Sequence, residues 1–186
     1  GQQILMGKLN IPNIPTEQID FQAMSAEVAE IVRGMQAIAP YGAPLNLDAW
    51  DGYPAARSRV LDAMRTLASN PISLAGDTHD SWTFNLADTQ GRAVGIEFGV
   101  PGISSPGMGQ ELPIDVKLMA DGLRAASGEL VDLELTLPGW GELTLTPKQA
   151  TSQWHYVDTV LSRDYQTSVS EPMVCKPGRR QFDTTG

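Results

Sequence analysis

The densest cluster of residues able to do chemistry is Gly76-Asp77-Thr78-His79-Asp80. Aspartate offers hard oxygen ligands and histidine a borderline nitrogen. Asp77 and His79, alternating along a segment that leaves a strand, can therefore both turn toward one cation. The apolar run just before them, residues 72–75, reads as a buried strand, and in open α/β sheets ligands bind outside the carboxyl ends of strands. A second acidic stretch, Asn46-Leu47-Asp48-Ala49-Trp50-Asp51-Gly52-Tyr53, precedes the helix that leads into that strand. If the helix packs on the sheet, its leading loop opens at the same edge and brings Asp51 near Asp77 and His79. Each residue also has a plainer reading. Asp77 can cap backbone amides beside a solvated His79, and Asp51 or Asp48 can cap the start of the helix.

The elements that must position these side chains can be read from spacing. Met24, Val28, Ile31, Met35 and Ile38 form an amphipathic stripe within residues 16–39, with Ser25 as the N-cap and Pro40 as the stop. Pro54 opens a second helix with the stripe Leu61, Met64, Leu67 and Ala68, ended by Asn70-Pro71. After Asp80 the pattern changes to short β segments at 82–86, 93–100, 130–137, 142–146 and 153–160. Asp88 to Gly91 reads as a hairpin turn, and Pro138-Gly139 with Gly141 as another. Residues 112–126 form a weaker helical patch, and the tail from Ser162 is polar and irregular. This is an α/β chain that passes from helices into a meander.

Composition narrows the function classes. With 186 residues, 41% hydrophobic and 19% charged, the chain can build one core. Thirteen Lys and Arg against 22 Asp and Glu give a net charge of -9, which repels nucleic acid and anionic lipid. No apolar run reaches the roughly 20 residues of a membrane span. A single cysteine, Cys175, excludes an internal disulfide framework. The opening Gly-Gln-Gln-Ile-Leu-Met reads as a short apolar strand without a leader, which points to a piece of a longer protein.

Other polar residues are weaker candidates. Glu97, inside an otherwise apolar strand, either supports the site from behind or faces solvent on an edge. Ser104 and Ser105 sit in a turn bracketed by Gly and Pro, without the strand–turn–helix elbow of a serine nucleophile. His155 could pair with His79, but its place between Trp154 and Tyr156 fits a half-exposed strand position better. Arg179-Arg180 reads as a solvated charge pair that could also reach a phosphate.

In chain order, the string from Asn46 to Pro54, then Leu-Ala-Gly-Asp-Thr-His-Asp-Ser-Trp, then Val-Gly-Ile-Glu-Phe-Gly-Val-Pro-Gly-Ile-Ser-Ser-Pro-Gly resemble the C-terminal half of PhoD-type alkaline phosphatases. The opening Gly-Gln-Gln-Ile-Leu-Met and the late Gln-Trp-His-Tyr-Val-Asp-Thr-Val are also similar to that family, so the resemblance covers most of the chain. It implies the α/β/β/α sandwich of the metallophosphoesterase superfamily, with two sheets face to face and helices outside, and residues 1–186 as the C-terminal portion of one such domain. The superfamily's last metal motif is Gly-His-x-His, and the family's variant Gly-Asp-x-His matches Gly76 to His79. The resemblance thus makes Asp77 and His79 metal ligands and Asp51 a further one. No catalytic residue is assigned.

The resemblance further implies calcium and iron as cofactors, a phosphate-ester substrate, and a periplasmic or secreted location. The family's iron-binding cysteine and tyrosine, its first Gly-Asp motif, its bridging aspartate and its Gly-Asn asparagine all lie upstream of this segment, and Cys175 matches none of them. The expectation is an alkaline phosphatase whose isolated C-terminal part is inactive and needs the N-terminal portion as its partner. Two alternatives stand beside it: a phosphodiesterase acting on a phosphate-linked polymer, and a calcium-binding module without catalysis.

Overall fold

A computed structural model describes residues 1–183. Ser25 accepts the Val28 N–H and opens α1 (Ala26–Ile38), as the sequence predicts. The helix is shorter than the stripe suggested, because two separate 3-10 turns, Thr16–Gln18 and Phe21–Ala23, precede it. Its buried line runs through Ala29 and Val32, while Ile31 and Ile38 are exposed. Pro54 begins α2 (Pro54–Leu67), whose inward face is Arg57, Val60, Leu61 and Met64. Leu67 is exposed instead of buried. Asp48 caps nothing here; Tyr53 precedes the helix and supplies no side-chain cap. A short α3 (Met108–Glu111) precedes the predicted helical patch at 112–126 and lies outside it; the patch itself is α4 (Val116–Ala126), which starts after Pro113 and is capped by Asp115 on the Leu118 N–H.

Four strands make the first sheet: β1 (Ile72–Ala75), β2 (Ser81–Ala87), β3 (Ala93–Gly99) and β4 (Leu130–Glu134), in the order β1-β3-β2-β4. β1 runs parallel to β3, and the other pairs are antiparallel. The predicted hairpin between β2 and β3 is present, with the Asp88 N–H bonded to the Arg92 carbonyl and Gly91 at φ +74°. The second sheet centres on β6 (Ala150–Val157), flanked by β5 (Gly139–Leu145), β7 (Thr167–Val169) and β8 (Met173–Cys175). Two readings need correction here. Gly139 and Gly141 lie inside β5, where a Cβ on Gly139 would come within 2.0 Å of the His155 carbonyl, so close strand approach and not a turn accounts for the glycine. The tail is also less irregular than its polarity suggested, since β7 and β8 both pair with β6.

The layers follow from side-chain alternation. Ile96 and Phe98 of β3 meet Trp154, Tyr156 and Phe182 between the sheets. Trp82, Phe84 and Leu86 of β2 point the other way, into a core shared with Leu61, Met119 and Leu123 of the helices. The result is an α/β sandwich with a helix layer on one sheet. Among the described residues no helix covers the outer face of the second sheet, which carries Trp140 and His155.

The first ten residues thread through this core without forming the expected strand. The Gln2 N–H bonds to the Leu74 carbonyl and the Gly76 N–H to the Gln3 carbonyl, so the segment lies along β1. It then turns inward to Glu97, which is fully buried on interior strand β3. Its carboxylate accepts the Met6 N–H at 2.9 Å, the Gly7 N–H at 2.7 Å, the Ser73 hydroxyl at 2.8 Å and the Gln2 amide at 3.3 Å. The solvent-facing reading of Glu97 is therefore wrong. Burial pushes its pKa up, and these donors oppose that. Arg57 secures the next turn, donating to the Met6 carbonyl at 2.7 Å and to Glu129 at 2.6 Å.

Replacing Glu97 by Gln aims an amide at the Met6 and Gly7 donors and should lower unfolding free energy by about 3 kcal/mol. Urea denaturation of the variant checks this, and a change under about 0.5 kcal/mol, the size of a neutral surface substitution, would contradict it.

Candidate metal centre

β1 stops at Ala75, and the chain reverses within the five residues Gly76 to Asp80 before β2 starts at Ser81. The Thr78 N–H bonds back to the Gly76 carbonyl at 2.8 Å. Asp77 and His79 both take left-handed backbone conformations, at φ +68° and +63°. Arg180 is the third such non-glycine residue among those described. Each such residue costs roughly 1–2 kcal/mol, and strain of this kind concentrates where side chains must be aimed at a ligand. The Trp82 indole donates to the Thr78 hydroxyl at 2.8 Å and pins the turn between the two strained residues.

Asp77 is exposed, and its Oδ1 accepts from the Gln3 side chain at 3.3 Å. His79 is half-buried, with Nδ1 3.1 Å from the Pro106 carbonyl. Asp51 lies in the 3-10 turn Trp50–Gly52, and its Oδ2 accepts the Leu9 N–H at 3.1 Å. Trp50 beside it donates to the Gln2 side chain at 3.0 Å, so the Asp51 loop is fixed to the same N-terminal segment that Glu97 holds. Burial raises the Asp51 pKa against the pull of the Leu9 amide, Arg57 and Lys8. The neighbouring Asp80 is pushed up to about 7, first by burial and then by Glu134 and Glu111, while the Met108 amide opposes.

Asp51 and Asp77 line one cavity of about 410 Å³, with Leu5, Leu9, Trp82 and Met108 among its walls. His79 does not line that cavity. Among the described residues no group of three or more His, Cys, Asp or Glu side chains stands close enough to hold a metal ion. The donors match a hard cation in kind, carboxylate oxygens with one imidazole, but not in number. The loops carrying Asp51 and Asp77 meet at this one cavity, while the expected convergence of all three side chains on a shared point is not seen among the described residues.

A family model described as PhoD-like phosphatase matches residues 1–154. The chain belongs to that family. Over 75 residues, this PhoD-like chain is 37% identical to alkaline phosphatase D of Bacillus subtilis (strain 168), a match covering 38% of the chain and 13% of that relative. A solved structure described as "Structure of PhoD" superposes with a TM-score of 0.65 at 19% identity, covering the whole chain and 30% of that structure. At that identity the second match bears on the fold alone. The chain thus spans less than a third of either relative.

The remaining candidates of this PhoD-like chain take structural roles. His155 stacks on Trp140, ring centroids 4.1 Å apart, and meets Glu142 at 3.2 Å on the outer face of the second sheet, so it does not pair with His79. Arg180 is no solvated charge: it donates to the Arg65 and Ala68 carbonyls at 3.0 and 2.9 Å and closes the end of α2. Cys175 lies in β8 as a free, partly exposed thiol whose pKa burial raises. Ser104 and Ser105 are exposed in an irregular loop. No helix in the described residues is long and apolar enough to cross a membrane.

Sequence reasoning missed three supports of the site: Trp50, Trp82 and Arg57. The two tryptophans were visible as large apolar residues inside polar strings, which is the available signal. Arg57 gave none, because its partner Glu129 lies 72 positions away.

Glycine adopts the left-handed conformation freely, so Asp77→Gly should stabilise the chain by about 1 kcal/mol while removing a ligand oxygen. Thermal unfolding measures it, and a lower midpoint would show that the turn is not strained.

Proposed function

We propose that the protein containing this segment hydrolyses phosphate esters, as an alkaline phosphatase of PhoD type, using metal ions held in part by Asp77, His79 and Asp51. The observation that carries this reading is the strained turn Gly76 to His79 at the carboxyl end of β1. Its residues read Gly-Asp-x-His, the motif that the resemblance to the family implies for a metal site, and Asp77 lies at the cavity that Asp51 shares. The ions proposed are calcium and iron, and the location proposed is periplasmic or extracellular.

Bound cations of this kind supply the positive charge that polarises phosphoryl oxygens and activates water. The chain's own part is to fix the ligands. Asp77 and His79 are aimed by backbone strain, and Thr78 is locked between them by Trp82. Asp51 is placed by its bond to the Leu9 amide, and a metal at this position would compete with that amide for the same oxygen. The apolar walls of the shared cavity limit water around the half-buried Asp51 and would strengthen its hold on a cation. Among the described residues the donors are too few for a dinuclear site, which supports the reading that the N-terminal portion of the protein is its partner.

The purified segment, supplied with calcium and iron, should turn over neither phosphate monoesters nor diesters. Adding the N-terminal portion should restore hydrolysis, and His79→Ala in the restored enzyme should lower kcat/KM on the order of 100-fold or more. Turnover by the segment alone would contradict its incompleteness. A full-length protein inert on both ester classes would contradict hydrolysis itself and leave a calcium-binding module.

A further inference from the structure

The loop of residues 101–107 grips His79 at two points. The Gly102 N–H donates to the His79 carbonyl at 2.9 Å, and the Pro106 carbonyl lies 3.1 Å from His79 Nδ1. A carbonyl can only accept, so the contact places the imidazole proton on Nδ1 and leaves the Nε2 lone pair free. Asp80 secures the Pro106 end of that loop. Its Oδ1 accepts the Met108 N–H at 3.0 Å, and a Cβ on Gly107 would come within 2.1 Å of the same oxygen. The two residues after Pro106 therefore rest directly on this carboxyl group. At the other end, the Gly139 N–H bonds to the Gly102 carbonyl at 3.0 Å and ties the loop to β5.

Asp80 is 1% exposed, and its Oδ2 has no hydrogen-bond partner among the described residues. An unsatisfied buried carboxyl oxygen destabilises a fold, so stability alone does not account for an aspartate here. Holding the loop against His79 does.

We infer that Asp80 is a positioning residue for His79: by clamping residues 107 and 108 it seats the Pro106 carbonyl on Nδ1, fixes the tautomer, and presents Nε2 as the ligand nitrogen. The inference deepens the proposed function and rests on its assignment of His79 as a metal ligand. Outer-shell partners of this sort orient the imidazole and raise its basicity toward a cation, and losing one typically weakens metal binding 10- to 100-fold.

The test uses the full-length protein carrying nitrogen-15 only in these 186 residues, so that two histidines report. Long-range proton–nitrogen correlation spectra, taken after chelation at a pH of about 8.5 where imidazole is neutral, identify the protonated nitrogen. His79 should show its proton on Nδ1. A proton on Nε2 in the unsubstituted protein would overturn the inference without any variant. In Asp80→Ala the Nε2–H form should become the major one, whereas Asp80→Asn, which keeps the Oδ1 acceptor, should retain the native tautomer. His155, stacked on Trp140 in the other sheet, should stay unchanged and certify the fold. If Asp80→Ala fails to fold, Gly107→Ala, which pushes on the same oxygen, gives the decisive spectrum. An unchanged His79 in whichever folded variant is read overturns the clamp. Manganese(II) added alone separates this inference from the one beneath it. Selective broadening of His79, weakened about tenfold in Asp80→Ala, supports both. A correct tautomer response without broadening leaves Asp80 as the clamp and removes His79 from the metal site.

Discussion

One buried carboxylate organises this segment. Glu97 stands at the middle of the first sheet with no solvent contact, and an isolated charge there would be very costly. It is tolerable because Met6, Gly7, Ser73 and Gln2 all aim donors at it. The dependence runs both ways. The carboxylate needs those donors, and the first ten residues, which have no strand or helix of their own, need the carboxylate to be held inside the core. Gln2 then anchors Trp50, and Leu9 anchors Asp51. The position of the Asp51 loop thus traces back to a side chain on β3.

The second constraint is the strain at the end of β1. Two adjacent-but-one residues in left-handed conformations are held by bonds on every side: the Gln3 carbonyl on Gly76, the Trp82 indole on Thr78, and the loop of residues 101–107 on His79. The surrounding structure over-determines the turn, which is the condition for such strain to persist. Site and scaffold therefore share one network. The N-terminal segment touches both loops, and Trp50, which bonds to it, and Trp82, which pins the turn, also pack on the core beneath.

The fold was readable where local pattern decides. Ser25 as a cap, Pro54 as the first residue of α2, the turn ending in Gly91, and strands β1 to β3 follow from capping chemistry and alternation. The misreadings share a cause. Gly139 looked like turn residue and the N-terminal stretch like a strand because their conformations are set by partners far along the chain, His155 and Glu97. Leu67 looked inward because a helical stripe carries no information about where the partner surface ends, and Arg57, a charged residue, takes an inward place through its pairing with Glu129. In the candidate centre, type and spacing were enough to single out Asp51, Asp77 and His79 as candidates. Their supports could not be singled out: Asp80 stood in the same string without any sign that it would be buried beneath the Pro106 loop.

In the proposed cation site, the loops carrying Asp51 and Asp77, with His79 behind, form one side, and another part of the protein forms the other. Anomalous-scattering diffraction from crystals of the full-length protein grown with its native metals tests this directly. The account predicts a metal peak roughly 2.0–2.6 Å from Asp77 oxygen and His79 Nε2, with Asp51 within the same coordination group. Metal bound elsewhere, with Asp51 still on the Leu9 amide and Asp77 and His79 facing solvent, would contradict it.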